Sequence, residues 1–271
     1  MKKDKESSPG RTLGVPRMLV FLVFILSLIP ASAAESRYFP LVMDGVFGDG
    51  GYQTTFKFVN TGSAATVRLE FFDNSGDPMD LPLRESESVF NNLEIELARG
   101  ETISLRTTIQ NFFLTGFARF TAPESVDGTA SFIGTDLVTG IVMYEAAVPS
   151  VTPVFDFTVM IDSSGDWDTG LAVIPVVPGD GGEGIETELT VTLHDSRGES
   201  LDQKVITAAA GEKTSRYIYE LFPDQGLATE MEGSVTVVSS RLPVAAISSR
   251  QRYGSQPFPM FVPTLTIYPV A

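Results

Sequence analysis

The 271-residue chain has no cysteine, one histidine and one tryptophan. Without cysteine there are no disulfides, thiolate zinc sites, iron–sulfur clusters or thiol nucleophiles. One histidine excludes multi-histidine metal sites and leaves His194 as the sole imidazole. Basic side chains are also scarce: 19 Lys and Arg face 34 Asp and Glu, a net charge of −15. That balance excludes a protein that tracks nucleic-acid phosphates, which needs a basic face. The chain carries no G-x-S-x-G elbow and no P-loop. What it does have is 43% apolar residues, enough for a packed core.

The longest apolar run is Met18–Ile29 (MLVFLVFILSLI). It is shorter than the roughly 20 residues a membrane span needs. Lys2, Lys3, Lys5, Arg11 and Arg17 precede it; Pro30 and the small residues Ala31-Ser32-Ala33 follow. This is the order of a secretory signal peptide, with cleavage expected after Ala33 and no membrane span afterwards. Cleavage would leave 14 basic and 32 acidic groups, a net charge of −18. Such a charge favours solubility and opposes binding to anionic membranes or polyanions.

The chain partly repeats itself. VRLEFFDNSGDPM (67–79) aligns with LTVTLHDSRGESL (189–201) at an offset of 122. Gly50-Gly51-Tyr52 aligns with Gly165-Asp166-Trp167, Arg99-Gly100-Glu101 with Ala210-Gly211-Glu212, and Val148-Pro149 with Val262-Pro263. Asp127–Phe132 is matched to Glu232–Val237. Matches in one order with drifting offsets indicate a duplication with loop insertions, near 84–92 in the first copy and 178–184 in the second.

The repeated unit reads as β. Residues 66–71 and 189–193 alternate apolar and polar side chains, which buries one face of a strand. Further strands are expected at 54–59, 103–105, 117–120, 128–133, 141–144, 171–174, 235–238 and 244–247, where Val, Ile, Thr and Phe dominate. Asp73–Gly76 and Asp195–Gly198 read as hairpin turns, with Asp capping and Gly at positive φ. Ser215–Phe222 is the one helical expectation, with a counterpart near Thr108–Phe113. About seven short strands per 110 residues indicate a sandwich. The expected organisation is all-β: a signal peptide (1–33) and two tandem immunoglobulin-like β-sandwich domains, 34–150 and 151–271. The proline-bearing stretch Val148–Val154 would join them.

Three segments, AAGEKTSRYIYELFP (209–223), GSVTVVSSRLPVAAISSRQRYG (233–254) and FVPTL (261–265), resemble a domain of secreted proteins from soil bacteria, notably acidobacteria. FVNTGSAATVRLEFFDNSGDPM (58–79) and EAAVP (145–149) look like a diverged copy of it. The resemblance implies export and an immunoglobulin-like sandwich. It implies no catalytic residue and no cofactor.

Candidate sites are few. Asp162, Ser164, Asp166 and Asp168 space oxygen ligands in a way that suits calcium. Trp167 and Val173 stand where a helix-loop-helix calcium loop needs Gly and Glu, so a polar turn is the competing reading. Tyr52 and Trp167 fall at equivalent places: exposed they could stack on a sugar, buried they would plug each core. His194 sits on the polar phase of its strand, and alternation points Asp195 to the opposite face. Arg241, Arg250 and Arg252 form a local basic cluster, expected to pair with nearby carboxylates. The expectation is an exported, non-enzymatic protein, secreted, periplasmic or on a bacterial surface, binding a protein or glycan partner. A carbohydrate binder using Tyr52 and Trp167 and a hydrolase with a paired carboxylate are the alternatives.

Overall fold

Val, Ile, Thr and Phe at alternate positions put one side of each strand into a core and the other towards water. In Glu186–Asp195, Leu189, Val191 and Leu193 are fully buried while Glu186 and Glu188 are exposed. A computed structural model describes residues 34–84, 89–163, 165, 167–177, 184–225, 231–252 and 260–263. Residues 1–33, the expected signal peptide, lie outside the described residues. Among the described residues no helix is long and apolar enough to cross a membrane.

The chain is all-β, with antiparallel pairing throughout. The first ten strands are β1 (Glu35–Phe47), β2 (Gly50–Asn60), β3 (Ala65–Asp73), β4 (Leu81–Pro82), β5 (Val89–Phe90), β6 (Asn92–Leu97), β7 (Thr102–Arg106), β8 (Leu114–Ala122), β9 (Val126–Asp136) and β10 (Val142–Pro149). Then come β11 (Asp156–Asp162), β12 (Trp167–Pro175), β13 (Glu186–Asp195), β14 (Ser200–Ala209), β15 (Thr214–Tyr217), the four-residue helix α1 (Ile218–Leu221), β16 (Glu232–Ser239), β17 (Val244–Arg252) and β18 (Met260–Pro263).

In the first set, β1-β8-β3-β6 forms one layer and β7-β2-β9-β10 another. The far end of β1 pairs with β2, so the layers join into one sheet. In the second set, β11-β16-β13-β14 and β15-β12-β17-β18 are separate sheets. Numbered from the start of each set and leaving aside the small β4–β5 pair, the two strand orders are identical.

Local details recur at matching places. Asp73 Oδ1 accepts the N–H groups of Ser75 and Asp77; Asp195 Oδ1 accepts those of Arg197 and Glu199. Gly76 and Gly198 then take φ of 87° and 83°, as both turns were expected to require. The turn before β7 bonds Glu101 N–H to Ala98 O, and the turn before β15 bonds Glu212 N–H to Ala209 O, each at 3.1 Å. Thr54 Oγ1 on β2 clasps both N and O of Met43 on β1; Thr169 Oγ1 on β12 clasps both of Asp162 on β11.

Two expectations are corrected. The helix expected at Ser215–Phe222 is shorter than its pattern suggests: Thr214–Tyr217 pairs with β12, and one turn, Ile218–Leu221, is helical. Glu220 starts that turn by accepting the Tyr217 N–H, and Pro223 follows it. Its expected counterpart at 108–113 contains no helix. Asp127–Phe132 and Glu232–Val237 lie on β9 and β16, which hold different places in their sheets. A glycine followed by alternation marks many strands, so pattern alone mis-set that register.

Each set closes on its own core. Phe39, Phe56, Phe58, Phe71 and Phe120 fill the first; Val159, Val191, Leu193, Val235 and Val237 dominate the second. A third cluster joins them: Tyr38 and Phe117 from the first set meet Ile174, Val176 and Ala245 from the second, with Val151 of the connecting segment between. Both sets belong to one compact unit.

Candidate functional site

The joint does not close completely. A cleft of about 560 Å³ opens between the two sets. The first set supplies Leu41 and Met43 of β1, Phe47 and Tyr52 at the β1–β2 hairpin, and Phe113 and Thr115 beside the start of β8. The second supplies Leu171 and Ile247, then Lys213, Arg216, Tyr217 and Gln251. Apolar walls with a few convergent polar groups are the usual makeup of a small-molecule site.

Three rings form one wall. Phe113 lies 5.3 Å from Tyr52, edge to face, and 5.7 Å from Phe47. Phe47 is 59% exposed, so this wall reaches the solvent. Opposite, Tyr217 stacks on Tyr219 at 5.4 Å, and its hydroxyl donates to Gln251 Oε1 at 2.5 Å.

Lys213 sits where the two sets meet. It is 8% exposed, and its Nζ donates to Gly116 O at 2.8 Å and to Thr115 Oγ1 at 3.5 Å. Its backbone N–H donates to Asn74 O, in the turn after β3. Burial pushes its pKa down to about 7. No described carboxylate pairs with it or with Arg216. Sequence patterning missed Lys213. It lies one residue before β15, so no alternation marks it as buried, and only its rarity singles it out: three lysines follow residue 33.

Asp44, in β1, is also fully buried. Neither carboxylate oxygen has a hydrogen bond of ordinary geometry. Burial raises its pKa to about 6, with the Thr107 hydroxyl and the Gln110 and Gly45 N–H groups near enough to oppose the rise.

The structure separates the residues singled out by sequence. Tyr52 is 5% exposed, its ring packed edge to face with Phe113, rather than standing free on the surface. Trp167 is half-buried, with the Arg250 guanidinium 4.5 Å over its ring. Arg250 also ion-pairs with Asp162, so that carboxylate already holds a cation. Burial raises the Asp168 pKa. Ser164 and Asp166, the other two expected calcium ligands, lie outside the described residues. Among the described residues no group of three or more Asp, Glu or His is placed to hold a metal ion. His194 sits half-buried on the outer face of β13, and Glu220 is the one carboxylate among the described residues lining the cleft.

Comparison with family models, curated proteins and solved structures found no match to this chain.

Proposed function

We propose that the protein is an exported, non-enzymatic binding module of the bacterial periplasm, cell surface or medium. It is built by duplication as two tandem immunoglobulin-like sandwiches, and the cleft at their junction is where it binds. The duplication reading rests on the identical strand orders, the paired Asp-capped turns and the threonine clasps on β2 and β12. The leader pattern supports export.

The observation that carries the binding reading is the cleft itself, about 560 Å³ with Phe47, Tyr52 and Phe113 on one wall. The neutral dye Nile red tests it. Its fluorescence should rise on the native protein. Ser215→Trp, at an exposed position on the cleft wall, should abolish the rise without lowering the unfolding temperature. Equal fluorescence from both proteins would place the dye elsewhere and remove the cleft as the binding place.

A further inference from the structure

Lys213 is an expensive side chain to place where it is. A buried ammonium loses its hydration and is normally repaid by a carboxylate partner. The chain has 34 acidic residues, yet no described carboxylate pairs with Lys213. Its partners are one carbonyl and one hydroxyl, both neutral. An ammonium has three protons to donate, so this set leaves one. Lys213 lines the same cleft as Phe47, Tyr52 and Phe113, and Arg216 lines it too, also without a described carboxylate.

We propose that the cleft takes a small organic anion, an apolar body bearing one carboxylate. The body lies against the Phe47–Phe113–Tyr52 wall and the carboxylate meets Lys213. This rests on the reading of the cleft as the binding place and adds the ligand's chemistry. The carboxylate supplies the negative charge that the protein does not, in a site where water screens the pair weakly. Charged and titratable groups on the elements around Lys213 include its neighbour Glu212 and Asp44, Tyr52, Asp73, Asp77, Arg216, Tyr217 and Glu220. Burial raises the Tyr52 pKa, so its phenol stays neutral from pH 6 to 9 while Lys213 loses its proton.

Calorimetric titration with 2-naphthoate and decanoate, each against its neutral alcohol, tests the proposal. At pH 6 at least one acid should bind about tenfold or more tighter than its alcohol. The preference should collapse at pH 9, and in Lys213→Met at either pH. Should Lys213→Met fail to fold, the pH 6 and pH 9 titrations of the native protein decide. Acids and alcohols binding alike at pH 6 would overturn the anion and leave the apolar cleft standing. Binding of Nile red but of neither acid would also overturn it. Loss of Nile red binding as well would remove the cleft and the proposal together.

Discussion

The two sets of strands run in one order but close on different side chains. The first packs phenylalanine on phenylalanine: Phe39 lies 5.4 Å from both Phe56 and Phe120. The second packs mostly β-branched and leucine side chains, with Phe157 and Phe222 fully buried among them. Strand order is therefore indifferent to which apolar residues fill the core, provided alternation and turns agree. What the sets share lies in the backbone instead: an aspartate-capped turn, a threonine clasp, and a glycine facing a carbonyl. A β-carbon at Gly116 would fall 2.0 Å from Phe72 O, and one at Gly233 would fall 2.2 Å from His194 O.

The largest effects on stability should come from the cores. Phe56→Ala should cost about 3–5 kcal/mol and Leu193→Ala about 2–5 kcal/mol in urea unfolding. Because a third cluster joins the cores, both variants should still unfold in one transition; a biphasic curve in either would show that the sets unfold separately. Next come the paired glycines. Gly116→Ala and Gly233→Ala should each cost about 1–3 kcal/mol, since the added carbon meets backbone that cannot swing aside. A large cost at one and none at the other would break the equivalence. The threonine clasps should come third: Thr54→Val takes a partner from the buried N–H and carbonyl of Met43, at about 1–3 kcal/mol, and Thr169→Val takes one from the part-buried groups of Asp162, at the lower end of that range. The smallest effect belongs to a feature of one set only. Arg250→Ala removes both the cation over Trp167 and the ion pair to Asp162 and should cost about 0.5–1 kcal/mol.

Stability should also depend on pH through the joint. The Lys213 pKa is lowered in the folded state to about 7, from an ordinary 10.5. Between those values the unfolded chain holds a proton that the folded one has released, so this group's contribution to stability rises with pH across the window. Asp44 has the opposite sense. Its folded pKa is raised to about 6 from 3.8, so stability falls as pH rises from about 4 to 6. Chemical unfolding of Lys213→Met should show no rise above pH 7, and Asp44→Asn no fall below pH 6. A Lys213→Met profile that matched the native protein would place the titration on another group.

Many of the strands were legible in the sequence because alternation is local: residues 189–193 announce which face is buried; β1, β6, β11 and β14 were not singled out. The turns were legible because Asp and Gly have few other reasons to stand three residues apart. The register of β9 against β16 was not legible, since a glycine followed by alternation fits either strand. Nor was the shortness of α1, since tertiary pairing with β12 overrides part of the helical pattern of SRYIYELF. The site was least legible of all. Tyr52 was singled out as an aromatic at a strand start, but its place beside Phe113 depends on how Asn111–Leu114 returns across the β1–β2 hairpin. Lys213 becomes notable only once Gly116, from the other set, stands over it.

Equivalence of the two strand orders is most directly tested by backbone nuclear Overhauser contacts in the isotope-labelled protein. Cross-strand contacts should join Asp73 to Gly116 and Asp195 to Gly233, the same place in each set. Finding one pair and a different partner for the other aspartate would contradict it.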